Sequence, residues 1–141
     1  MNFDAAYAKW MEDRQQTRKG ESLRRLREGH GYLEKLFLSE IWWPAVGNFE
    51  HLHPEFEIID DRGAIRFLDF AYLRAPHKIA LEMDGFNAHA REMDRRQFSE
   101  ERKKQNFLLL NGWKMLRFSS DDIKDSPAYC RQTVIQMFGE W

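Results

Sequence analysis

Over residues 3–28 the apolar positions Phe3, Tyr7, Trp10 and Met11 recur at helical spacing, and Gly20 predicts a break in that stretch. Beyond Gly29-His30-Gly31 a second stripe, Leu33, Leu36, Phe37 and Ile41, predicts a helix from about Tyr32 to Ile41, ended by Pro44 and Gly47. An irregular segment is expected from Trp42 to Pro54. The period then shortens. Glu55–Asp60, Ala64–Leu73 and Lys78–Asp84 read as strands, joined by the turn sequences Asp60-Asp61-Arg62-Gly63 and Arg74-Ala75-Pro76-His77. Helical spacing returns from Arg95 to Asn111, with Gly112 placed to cap the end. Trp113–Phe118 reads as a fourth strand, and Ser126-Pro127 as the N-cap and first residue of a helix reaching about Phe138. This order predicts an α/β fold: a mixed sheet of about four strands with flanking helices. Residues 1–30 are expected to form an N-terminal helical extension and residues 31–141 a single globular unit.

Composition narrows the chemistry. With 141 residues, 43% of them apolar, the chain can bury a core without cross-links. Cys130 is the single cysteine, so a disulfide within the chain and a cysteine-based zinc site are both excluded, leaving His and carboxylates for any metal. No apolar run approaches the roughly 18 residues of a membrane helix. The segment Met1–Trp10 carries Asp4 and lacks a signal-peptide layout, so a cytoplasmic protein without a membrane partner is expected. A net charge of -1 argues mildly against nucleic acid as a partner, but the charges are unevenly spread. Residues 1–30 hold seven basic and five acidic side chains, and residues 91–104 hold six and four. Between them, residues 50–84 hold eight acids against four basic groups. Basic flanks around an acidic centre suit an enzyme that grips phosphates and holds a cation between them; solvated helix faces are the plain alternative.

The second hairpin gives that centre a geometry. A turn centred between Ala75 and Pro76 pairs residues whose numbers sum to 151, which sets Asp69 opposite Glu82. Both acids sit in apolar sequence, Phe67-Leu68-Asp69-Phe70 and Ala80-Leu81-Glu82-Met83. Alternation puts Glu82 and Asp84 on one face and Ile79, Leu81 and Met83 on the other. Like charges directly opposed destabilise a sheet, so three converging carboxylates call for a compensating cation, or else face solvent. A hard divalent ion with oxygen ligands meets that need.

The residues Arg66-Phe67-Leu68-Asp69-Phe70-Ala71, Ile79-Ala80-Leu81-Glu82-Met83-Asp84-Gly85, His89 and Gly112-Trp113-Lys114-Met115-Leu116-Arg117-Phe118 resemble the PD-(D/E)XK nuclease superfamily. Within it, the chain is most similar to small endonuclease-like domains related to very-short-patch-repair endonucleases, over about Glu34 to Ile123. The resemblance implies a restriction-endonuclease-like core. It implies that Asp69 and Glu82 bind Mg²⁺ or Mn²⁺, with the Met83 carbonyl as a further ligand. Asp84 stands where many members have lysine and the repair branch has histidine, so the lysine's role is unfilled. His89 matches an acid–base or ligand histidine. Glu34 matches a helix glutamate preceding the sheet, with Glu40 the competing choice. Glu101 matches a further acid, with Asp94 the near alternative.

The implied activity is metal-dependent endonucleolytic hydrolysis of DNA phosphodiester bonds, with Asp69, Glu82, Asp84, His89 and Glu34 at the catalytic centre. A bound ion relieves charge on the phosphorane-like transition state and activates water, and His89 can relay a proton. Arg91, Arg95, Arg96, Lys103 and Lys104 are the candidate DNA phosphate contacts. A homodimer is compatible with cutting both strands. His51 and His53 read more readily as surface histidines than as a metal pair, and Trp42-Trp43 as core packing rather than a base-stacking wedge. The rival reading is a non-catalytic nucleic-acid-binding module on a nuclease-like fold.

Overall fold

The computed structural model of this chain describes residues 2–84 and 94–141. Helices α1 (Phe3–Gln16), α2 (Gly20–Glu28) and α3 (Tyr32–Phe37) come first. The segment expected to be irregular after Ile41 begins instead as continued helix. A π-helical turn spans Leu38–Trp42, and α4 (Trp43–Val46) follows without a break. Pro44 falls at the start of α4, directly after the π-helical turn, and does not stop the chain as expected. Gly47 does, with φ 83°.

Strands β1 (Leu52–Ile59), β2 (Ile65–Arg74) and β3 (His77–Asp84) follow, then α5 (Arg95–Leu110) and β4 (Lys114–Ser119). The sheet order is β1-β2-β3-β4; the first three strands run antiparallel, and β4 joins β3 in parallel. This is a mixed four-stranded sheet with flanking helices. Gly112, at φ 82°, closes α5 as expected, and the Trp113 amide reaches back to the Leu108 carbonyl at 2.9 Å.

Two helices end the chain, α6 (Ser120–Asp125) and α7 (Pro127–Glu140). The first was not expected, although Ser119 caps it through the Asp122 amide and acids fill its first turn. The last helix begins at Pro127, as expected, with Ser126 in the N-cap position. That residue ends α6, its amide donating to the Asp122 carbonyl at 2.8 Å, and its side chain makes no cap bond to α7.

The two sheet faces carry separate cores. One packs Phe70, Tyr72, Ile79, Leu81, Met83 and Phe118 against Trp10, Phe37, Trp42 and Val134 from the helices. The other packs Ile58, Leu68, Ala71 and Ala80 against Leu108 of α5 and Trp113. Strict alternation would keep Leu68 with Phe70, and Ile58 with Leu52, yet each pair is split between the cores. Both strands therefore reverse their faces part-way along. The reversal falls between the pairs Pro54–Phe70 and Phe56–Leu68, at the level of Glu55 and Asp69. Glu55 has φ 44°, a left-handed conformation that costs a non-glycine residue roughly 1 kcal/mol.

The N-terminal helices are tied to the same body. Trp10 donates from its indole to the Leu52 carbonyl at 2.9 Å, and Arg18 donates to the carbonyls of Pro54 and Glu55 on edge strand β1. Among the described residues no helix is long and apolar enough to cross a membrane.

Candidate active site

The β2–β3 register pairs Arg74 with His77 and Phe70 with Leu81, which sets Asp69 beside Glu82 as the hairpin pattern predicts. The two acids touch each other's strands. Asp69 Oδ2 accepts from the Met83 amide at 2.9 Å, and the Asp69 amide donates to Glu82 Oε2 at 3.4 Å. Burial, the Glu82 charge and a shared hydrogen bond with that carboxylate hold the Asp69 carboxyl well above its usual range. The Met83 hydrogen bond works against this shift, and the charge of Glu34 adds to it.

Lys104 completes the cluster. It is not on the open surface of α5 with the other basic residues but almost fully buried, 8% of its side chain exposed, over a Glu82 side chain that is 6% exposed. Its ammonium lies 3.0 Å from Glu82 Oε1, 3.4 Å from Glu101 Oε2 and 3.3 Å from the Phe67 carbonyl oxygen. Burial alone lowers a lysine's pKa, but here Glu82 and Glu101 outweigh it and Asp69 adds to them, so the net direction is upward. Lys104 is charged at any physiological pH. The sequence carried a signal for this placement: Lys104 is four residues before buried Leu108, on the same inward stripe of α5.

Glu34 also belongs here. Its charge is felt by both Asp69 and Glu55, whereas Glu40 is exposed and offers its carbonyl to Arg131. A Cβ on Gly31 would stand 2.7 Å from Glu34 Oε2, so glycine at the head of α3 leaves room for this carboxylate. Glu55, absent from the sequence-derived set, brings a further acid. Burial raises its pKa; Arg25, 2.8 Å away, opposes that, and Glu34 and Glu82 reinforce it. The pairing joins residues thirty positions apart on α2 and β1, and no local pattern announces it.

The remaining sequence-derived residues spread outward. Asp84 shares the Glu82 face but is half-exposed and paired with Arg117 at 3.0 Å. Arg95 and Arg96 are exposed at the start of α5, behind the capping box of Asp94 and Gln97. Lys103 is exposed and pairs with Glu100. His89 and Arg91 lie outside the described residues. His53 is half-buried on β1, its pKa lowered to about 4 by burial and the charges of Arg14 and Arg18. Trp42 is fully buried in the core and Trp43 packs against it, as their bulk predicts.

Asp69 and Glu82 offer carboxylate oxygens, the donor type a hard cation takes. Glu82 Oε1 is buried, with the Lys104 ammonium 3.0 Å away as its ion-pair partner. Among the described residues no group of three or more His, Cys, Asp or Glu is placed to hold a metal by itself. Two carboxylates remain, and Mg²⁺ is commonly held by one or two carboxylates with water and substrate phosphate completing its shell. Comparison of the chain with family models, curated proteins and solved structures finds no match in any of the three.

Proposed function

We propose that this chain is a Mg²⁺- or Mn²⁺-dependent DNA endonuclease on a restriction-endonuclease-like core, akin to the very-short-patch-repair branch of the PD-(D/E)XK superfamily. One observation carries the reading: two carboxylates meet across a hairpin inside apolar surroundings, with a buried lysine on the second. An acid pair so disfavoured electrostatically is retained most simply for the cation it binds.

In this reading Asp69 and Glu82 hold the ion, which lends Lewis acidity toward the phosphate and lowers the pKa of a bound water. Lys104 takes the place of the strand lysine that Asp84 replaces. It reaches Glu82 from α5 rather than from β3, and its fixed positive charge stabilises the anionic transition state. Glu34 adds a carboxylate at the edge of the pair and His89 is the proposed proton relay. Arg91, Arg95, Arg96 and Lys103 supply DNA phosphate contacts.

Lys104 also favours the second reading, a non-catalytic nucleic-acid-binding module, because its ammonium neutralises Glu82 without a metal. Incubation of supercoiled plasmid with the protein, with Mg²⁺, Mn²⁺ or EDTA, separates the two. The nuclease reading expects nicked or linear DNA with the ions alone, and none from Asp69→Asn. Binding of duplex without cutting under any of these conditions transfers the case to the module.

A further inference from the structure

Arg117 lies on β4 in register with Glu82 on β3. Its Nη1 donates to both oxygens of Asp84, at 3.0 and 3.2 Å. Nε and Nη2 are removed from solvent and have no hydrogen-bond partner among the described residues. A guanidinium cannot shed its charge, so these donors stay cationic and unsatisfied. Together Nε and Nη2 form one edge of the planar fork, the edge that matches two oxygens of a phosphate. Asp84, half-exposed, can turn to water and does not occupy that edge. Arg117 and Glu82 are in-register neighbours on adjacent strands, whose backbones stand roughly 5 Å apart.

We propose that Arg117 is a phosphate-binding residue of this site, with Asp84 an internal counterion that damps its charge until a DNA phosphate takes the Nε–Nη2 edge. This rests on the nuclease reading for the identity of the anion, a backbone phosphate of duplex DNA. The acid that replaces the family's strand lysine thereby tunes an arginine on the next strand.

The test uses the full chain and a fluorescently labelled duplex, with binding followed by anisotropy across a salt series without Mg²⁺ or Mn²⁺. Arg117→Gln should weaken binding about tenfold and reduce the slope of log affinity against log salt by about one. Arg117→Lys should keep the slope while losing part of the affinity, because charge remains and the fork does not. Asp84→Asn should do the opposite of Arg117→Gln, tightening binding several-fold. A purely structural ion pair predicts otherwise: both partners' loss would lower thermal stability alike and leave the salt slope unchanged. That outcome, or loss of affinity in Asp84→Asn, overturns the proposal. Plasmid cleavage by the same proteins keeps the two readings apart. Wild type that cuts while Arg117→Gln binds normally removes only the Arg117 role. Wild type that never cuts, with affinities still moving in opposite directions, removes only the nuclease.

Discussion

Burial and the adjacent Glu82 carboxylate disfavour an ionised Asp69, and the Met83 amide works against them. The consequence for stability has a definite sign. A carboxyl whose folded pKa exceeds its unfolded 3.8 imposes no penalty below that value; stability is lost as pH rises through the folded pKa. Asp69→Asn removes the penalty. Without metal it should therefore equal wild type near pH 4 and become more stable by roughly 1 kcal/mol at pH 8, read by urea unfolding at each pH. The same change should reduce cleavage more than the roughly 10–100-fold that loss of an outer-shell partner costs. A variant that unfolds earlier than wild type at pH 8 would mean Asp69 is a structural acid. Lys104 behaves in the opposite way. Lys104→Met leaves Glu82 buried without its ion-pair partner and should cost about 3–5 kcal/mol, whereas Lys104→Met with Glu82→Gln should recover much of that loss. Equal stabilities for the single and double variants would show that the pair is not coupled.

At the level of elements, the site depends on three of them meeting where two strands change face. The hairpin that joins Asp69 to Glu82 was legible because its turn fixes register and register fixes neighbours. Period-two reasoning, however, assumes that a strand keeps its faces. The reversal at Glu55 and Asp69 is set by tertiary packing and a left-handed φ at a residue with no glycine to announce it. The helix carrying Lys104 was legible from its periodicity and its Gly112 cap, but a buried lysine reads as a surface one until the sheet beneath it is known. The π-helical turn and α4 were hidden because Pro44 looks like a terminator when the start of α4 is unseen. Helix α3 offers an element-scale test. Gly31 has φ −67°, so alanine there meets no backbone strain and crowds only the Glu34 carboxylate. Gly31→Ala should change stability by no more than about 0.5 kcal/mol while lowering Mg²⁺-dependent cleavage, measured as initial rate against ion concentration. An unaltered ion dependence would take Glu34 out of the site.

Across the whole molecule the formal charge of -1 hides a segregation that matters more than the sum. Much of the acidic charge sits around the sheet's face reversal, where Arg25 and Lys104 already answer Glu55 and Glu82. On the proposed reading the cations left for DNA, Arg117 apart, lie outside that centre, and Arg95 and Arg96 are the exposed pair at the start of α5, the helix that delivers Lys104 to the acids. A duplex gripped there would be held by phosphate contacts rather than by net attraction to an anionic protein. Its affinity must then fall steeply with salt, since releasing condensed counterions gives a slope near −0.9 for each phosphate neutralised. Replacing both arginines by glutamine should make that slope shallower by about two and leave thermal unfolding unchanged, because both side chains are exposed. Charge reversal, Arg95→Glu with Arg96→Glu, should go further and abolish binding at physiological salt, with a melting temperature that is not lowered, because acids in the first turn of α5 suit the helix dipole. The decisive measurement is duplex anisotropy from low to physiological salt for wild type and both double variants. A wild-type affinity indifferent to salt would remove DNA as the partner, however well the carboxylate pair holds a metal. A steep wild-type slope that the glutamine variant does not alter would move the DNA path to another face of the molecule, with the first three helices and their arginines the next surface to change.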